Sequence, residues 1–134
     1  MKISGGLKKN KAVVVVVEDE PSLLMAIDFK LKKIGYEVFT ATTGEKGLDL
    51  IKEKKPCLIW ADLLLPGMNG IELLRKIKKE PGMDKVPFVI VSVSAGREKI
   101  KEAFSLGAAD YIVKSDYHID AIIERVIKLI NPKV

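Results

Sequence analysis

The sequence is poorest in the residue types that mark many metal, redox and nucleic-acid proteins. It has one cysteine, Cys57, so an internal disulfide and a cysteine-based zinc site are both excluded. It has one histidine, His118, expected to be exposed near the start of the last helix and not to be catalytic. Aromatic residues make up 6% of the 134, and no basic stretch is interleaved with them. That argues against direct binding of nucleic acid, although the net charge is +5. The lysines are scattered beside acids, as in "LKKIG", "IKEKK", "RKIKKE" and "EKIKE", the pattern of solvated helix faces. No apolar run approaches the roughly 20 residues that span a bilayer. The basic start, "MKISGGLKKNK", is followed by no signal-peptide core or cleavage site. These absences lead to an expectation of a soluble, cytoplasmic protein away from membranes. Residues 1–11 read as a flexible basic tail, 12–131 as one domain and 132–134 as its C-terminal end.

What is present is an alternation of two kinds of segment. "AVVVVV" (12–17), "YEVFT" (36–40), "CLIWAD" (57–62), "FVIVSV" (88–93) and "DYIV" (110–113) are short, apolar and rich in β-branched residues. Most run without alternation, which means burial on both faces, as in a parallel sheet covered by helices. Between them lie helical stripes: Leu23, Ile27, Leu31 and Ile34; Ile71, Leu74 and Ile77; and Ile119, Ile122, Ile123, Val126, Ile127 and Ile130. Weaker helical segments lie near 43–54 and 96–106. Pro21 suits a first helical position. Thr42 with Glu45, and Asn69 with Glu72, have the spacing of a capping box. Gly35 suits the end of the first helix. Five strands alternating with five helices predict a three-layer α/β/α doubly wound sandwich.

In such sheets ligands sit beyond the carboxyl ends of the strands. Glu18, Asp19 and Glu20 follow the first strand, Asp62 the third, Ser92 and Ser94 the fourth, and Lys114 the fifth. Clustered carboxylates repel unless a cation or protons intervene. Oxygen ligands without histidine or cysteine favour Mg2+ or Ca2+, and no EF-hand loop is present. A lysine supplies a point charge for a phosphoryl oxygen, and an aspartate can itself accept the group. The set predicts Mg2+-assisted phosphoryl transfer to a carboxylate.

The segments "VVVEDEPSLL", "ADLLLPGMNGIELL", "VPFVIVSVSA" and "LGAADYIVKS" closely resemble the signature segments of bacterial response-regulator receiver domains. The resemblance runs from about Val13 to Ile130. It implies a CheY-like, flavodoxin-like five-stranded parallel sheet of order 2-1-3-4-5. It implies Asp62 as phosphoacceptor, and Mg2+ held by Glu18, Asp19, Asp62 and the backbone carbonyl of Leu64, with Glu18 acting through water. Ser92 would be the switch hydroxyl, Lys114 the partner of the acceptor and then of the phosphoryl oxygens, and Tyr111 an aromatic that changes rotamer with Ser92. The donor would be a sensor histidine kinase or a histidine phosphotransfer protein. Such a protein is a signalling domain and not an enzyme, beyond Mg2+-dependent self-phosphorylation and autodephosphorylation. Read as a stand-alone receiver, its output would be a phosphorylation-dependent contact with a downstream protein through the fourth helix, fifth strand and last helix, with room for a phosphorylation-dependent homodimer.

Several residues have plainer readings. Glu20 reads as a solvated first-turn acid. Spacing favours Ser92 over Ser94, and Tyr111 could equally be core packing. Trp60 and Cys57 read as sheet core. Three positions depart from the resemblance. Ser115 stands where a proline after a cis bond is usual. A cis bond before serine costs roughly 2.5–4 kcal/mol, so a trans, reshaped loop is expected after Lys114. Val93 is bulky where a small residue is usual, and Leu64 is apolar. Together they are expected to shield an aspartyl phosphate from water. Three rivals remain: a pseudo-receiver that is never phosphorylated, an aspartyl-nucleophile phosphatase, and a dinucleotide-binding protein. The phosphatase would want an acid at position 64, where leucine stands, and the dinucleotide fold a Gly-rich loop where "EDEPS" stands.

Overall fold

The computed structural model describes residues 11–132, so the expected tail at 1–11 lies almost wholly, and residues 133 and 134 wholly, outside the described residues. The five strands are β1 (Val13–Val17), β2 (Glu37–Ala41), β3 (Leu58–Ala61), β4 (Phe88–Ser92) and β5 (Asp110–Val113). The helices are α1 (Pro21–Ile34), α2 (Gly44–Lys54), α3 (Gly70–Lys78), α4 (Arg97–Ser105) and α5 (Ile119–Ile127), with a 3-10 turn at Lys114–Asp116. All pairings are parallel and the order is β2-β1-β3-β4-β5.

Alternating side chains send each strand into two cores. Val15, Val17, Ile59, Ala61, Phe88 and Ile90 face α2, α3 and α4, meeting Ile51, Leu73, Leu74, Ile77 and Ala103. Val14, Val16, Leu58, Trp60, Val89, Val91 and Ile112 face the other way, onto Ile27 and Leu31 of α1 and the Ile122, Ile123, Val126 and Ile127 face of α5. The continuous apolar runs of β1, β3 and β4 are therefore the sequence image of a sheet covered on both sides. β2, at one edge, alternates instead, with Glu37 and Thr40 exposed and Val38 and Ala41 buried.

Helix boundaries follow local chemistry, with three corrections to the sequence pattern. Pro21 opens α1, and Gly35 closes it at φ +124°, its N–H bonded to Leu31 and Lys32 carbonyls. Asn69 and Glu72 form the expected capping box on α3. On α2 the cap is Thr43, not Thr42: its hydroxyl accepts the Lys46 N–H at 3.2 Å. Glu45 does not turn back to close a box but reaches across to accept the Met68 N–H at 3.0 Å. Gly44 can start the helix there because a Cβ at that point would lie 2.1 Å from the Met68 carbonyl oxygen. Ile34 is 54% exposed although it continues the α1 stripe, because it lies in the last turn, beside Gly35 where the chain turns back towards the sheet. α5 ends at Ile127, and Ile130 follows in a turn closed on the Ile127 carbonyl. Trp60 is fully buried as expected, its indole N–H without a partner among the described residues. Cys57 is only half-buried, just ahead of β3.

Candidate functional site

Parallel register brings the strand ends together. Val17 is level with both Ala41 and Ala61, Ala61 with Ile90, and Ser92 with Val113. The next residues along, Glu18, Asp62 and Lys114, therefore emerge on one edge. The ladder continues one step beyond the strands: the Asp62 N–H donates to the Val17 carbonyl at 2.9 Å and the Glu18 N–H to Ala41 at 3.0 Å.

The Lys114 ammonium is the hub. Its Nζ donates to Glu18 Oε1 at 2.8 Å and to Asp62 Oδ2 at 2.9 Å. The second oxygen of each acid is also engaged: Glu18 Oε2 accepts the Glu20 N–H at 3.0 Å, and Asp62 Oδ1 accepts the Leu64 N–H at 3.1 Å. Glu18 is 1% exposed and Asp62 5%, whereas Asp19 lies open to solvent. Glu18, Asp19 and Asp62 each offer one carboxylate oxygen, all within 4.8 Å of one another. Three hard anionic oxygens at that spacing fit a divalent cation such as Mg2+, and the open Asp19 gives it an approach from water.

Burial raises the Glu18 pKa above its usual range, and this outweighs the opposing pull of Lys114. For Lys114, burial pulls downward, but its hydrogen bonds to Glu18 and Asp62 win and hold the ammonium above the ordinary lysine value. The lysine is thus locked in its charged form between two acids.

Around this centre the serines have different partners. Ser92 is fully buried at the end of β4, its hydroxyl accepting the Ser94 N–H at 3.3 Å. Ser94, two residues out, gives its carbonyl to the Tyr111 hydroxyl at 2.8 Å. Tyr111 is 6% exposed, and burial raises its pKa. Leu64 and Val93 are 55% and 61% exposed, directly beside the Asp62 and Ser92 segments. Glu20 precedes α1 instead of sitting in its first turn, and its carboxylate takes the Ser22 hydroxyl. His118 is exposed at the start of α5. No peptide bond among the described residues is cis, so Lys114–Ser115 is trans, and a 3-10 turn follows Lys114.

Two participants were missed by the sequence reading. The Glu18–Lys114 bridge spans 96 residues, and only the length of the glutamate arm beside a central strand hints at it. Glu45 is the other. It ties α2 to the segment following Asp62, and its spacing from Thr42 had suggested a local cap instead.

Residues 14–127 match the family described as the response regulator receiver domain. The transcriptional regulatory protein AfsQ1 of Streptomyces coelicolor is 31% identical over 118 residues, which cover 84% of this chain and 51% of that protein. The chain thus spans about half the length of that curated relative. The non-phosphorylated HemR receiver domain of Leptospira biflexa is similar in structure, with a TM-score of 0.79 at 31% identity, covering 87% of this chain and 94% of that one. The chemotaxis protein CheY4 of Vibrio cholerae has a TM-score of 0.82 at 24% identity, over 89% of this chain and 98% of that one, a likeness of fold.

Proposed function

This chain belongs to the response regulator receiver domain family of two-component signalling, and from that premise we propose that Asp62 accepts a phosphoryl group from a phosphohistidine on a sensor kinase or phosphotransfer protein. The observation that carries this is the convergence of the Lys114 ammonium on Asp62 and Glu18, within a carboxylate set spaced for one divalent cation.

Each residue then has a task. Glu18, Asp19, Asp62 and the Leu64 carbonyl would hold Mg2+, which when bound offsets the charge of the carboxylates and of the incoming phosphoryl oxygens. A carboxylate oxygen of Asp62 forms the new O–P bond as the N–P bond of the phosphohistidine breaks, the electron pair returning to the imidazole nitrogen. Lys114 neutralises the acceptor beforehand and a phosphoryl oxygen afterwards. The Ser92 hydroxyl turns from the Ser94 N–H to donate to another phosphoryl oxygen. Ser94 moves with it, and its carbonyl carries the change to Tyr111. The two arrangements differ in their contacts to the phosphoryl group, so phosphorylation shifts the population between them. The output is a changed protein-binding face formed by α4, β5 and α5, where a downstream protein or a second copy would dock.

The test is phosphorylation by a small donor. With Mg2+ and acetyl phosphate, intact mass should rise by one phosphoryl group in the wild type and not in Asp62→Ala. No gain with acetyl phosphate or phosphoramidate would overturn the proposal in favour of an unphosphorylated interaction module.

A further inference from the structure

Lys114 sits in a segment with little packing to aim it. Ser115, Asp116 and Tyr117 are exposed, and the 3-10 turn contains no buried residue. Serine at 115 leaves the backbone torsions free where a proline ring would lock one of them. The turn is closed by one long bond, from the Tyr117 N–H to the Lys114 carbonyl at 3.3 Å.

A single side chain on α5 grips the segment from both ends. Arg125 Nε donates to Asp110 Oδ2 at 2.7 Å and Nη2 to Asp110 Oδ1 at 2.8 Å, a bidentate pair four residues before Lys114. Arg125 Nη1 donates to the Tyr117 hydroxyl at 3.0 Å, three residues after Lys114, and the guanidinium lies 5.5 Å from the Tyr117 ring centre. Asp110 is anchored in turn, since its Oδ1 also accepts the Tyr111 N–H at 2.8 Å. Fork-like pairs of this kind fix direction as well as distance.

We propose that Arg125 is a positioning residue for Lys114: by clasping Asp110 and Tyr117 together it holds the intervening lysine on Glu18 and Asp62. The proposal rests on the phosphoacceptor reading of Asp62. With the clasp gone, the turn opens and the ammonium spends less time on the two acids. Two consequences then run in opposite directions. A cation meets less competition at the same two carboxylates, so its affinity rises. Phosphoryl transfer loses a neutralising charge, so its rate falls. A site that is merely loosened would lose both.

The experiment uses the full chain and two probes, Mg2+ alone by calorimetry and acetyl phosphate by intact mass. Arg125→Gln should phosphorylate roughly 3- to 10-fold more slowly, an effect of the size expected through one intermediary residue, while binding Mg2+ more tightly. Lys114→Gln should show both shifts more strongly. Because the two act as one unit, adding Arg125→Gln to Lys114→Gln should change little further. Arg125→Lys should not rescue, since an ammonium cannot serve Asp110 in a fork and Tyr117 together. Unchanged values in Arg125→Gln, loss of both properties together, or additivity with Lys114→Gln would each overturn the proposal. If Arg125→Gln does not fold, Tyr117→Phe, which keeps the Arg125–Asp110 pair, must give the opposed shifts, and unchanged values there overturn it. A wild type that neither binds Mg2+ nor takes phosphate overturns the phosphoacceptor reading itself, whereas a competent wild type matched by its variants overturns only the clasp.

Discussion

Lys114 stands between two opposed pulls, and its surroundings decide the outcome. Burial alone would lower its pKa, but two carboxylates more than offset this and favour the charged form. Tyr111 shows the same physics without a counter-charge. Burial raises its pKa above the ordinary 10.0, so the neutral phenol is favoured in the folded state. Its stabilising contribution is therefore complete below the unfolded value and is lost as pH rises through the folded one. Urea midpoints measured on either side of pH 10 should fall on the alkaline side, less steeply in Tyr111→Phe; Tyr36, also raised by burial, retains part of the slope. Val93 and Leu64 carry a second expectation. Exposed beside Asp62 and Ser92, they would screen an aspartyl phosphate at the proposed acceptor, Asp62, from water. Val93→Ala should lose its phosphoryl group faster than the wild type, and an equal or slower rate would show that valine is no shield.

At the scale of elements, the least expected joint is that between α2 and the segment joining β3 to α3. Gly44 and Gly67 let α2 and this segment approach closely: a Cβ on Gly67 would fall 2.7 Å from the Glu45 carboxylate, and one on Gly44 would strike the Met68 carbonyl. Glu45 completes the contact through the Met68 N–H. That segment begins at Asp62 and Leu64, so α2 steadies the backbone that carries Asp62. Urea denaturation should find Glu45→Ala destabilised by about 1 kcal/mol, one net hydrogen bond. Gly44→Ala should lose ~3 kcal/mol or more, because backbone must move to admit the methyl. Equal effects of the two would refute the steric account. The Thr42–Glu45 spacing could not reveal this joint. A capping box and a long-range clamp use the same residue types, and only the proximity of Met68 separates them.

At the scale of the molecule, a cation that binds only the folded chain must stabilise it. At a Mg2+ concentration ten times the dissociation constant, the gain should be about 1.4 kcal/mol, visible as a higher Tm. Asp62→Ala should remove most of that response. The architecture itself was legible from the chain. Unbroken apolar runs such as Val13–Val17 and Phe88–Val91 mean burial on both faces, and helical stripes between them mean crossovers, because both signals come from side-chain period alone. The candidates Glu18, Asp19, Asp62, Ser92 and Lys114 could be listed from the chain, since each ends a strand or lies within two residues of one. What the list lacked was pairing. That Lys114 bridges Glu18 as well as Asp62, that Glu45 crosses to Met68, and that Arg125 joins Asp110 to Tyr117 depend on strand order and on how α5 lies against β5. Those contacts span 96, 23 and at most 15 residues of chain. Period and spacing determined which residues reach the carboxyl edge of the sheet. Only the tertiary structure decided which of them touch, because a hydrogen bond needs about 3 Å, and no sequence interval specifies a distance through space.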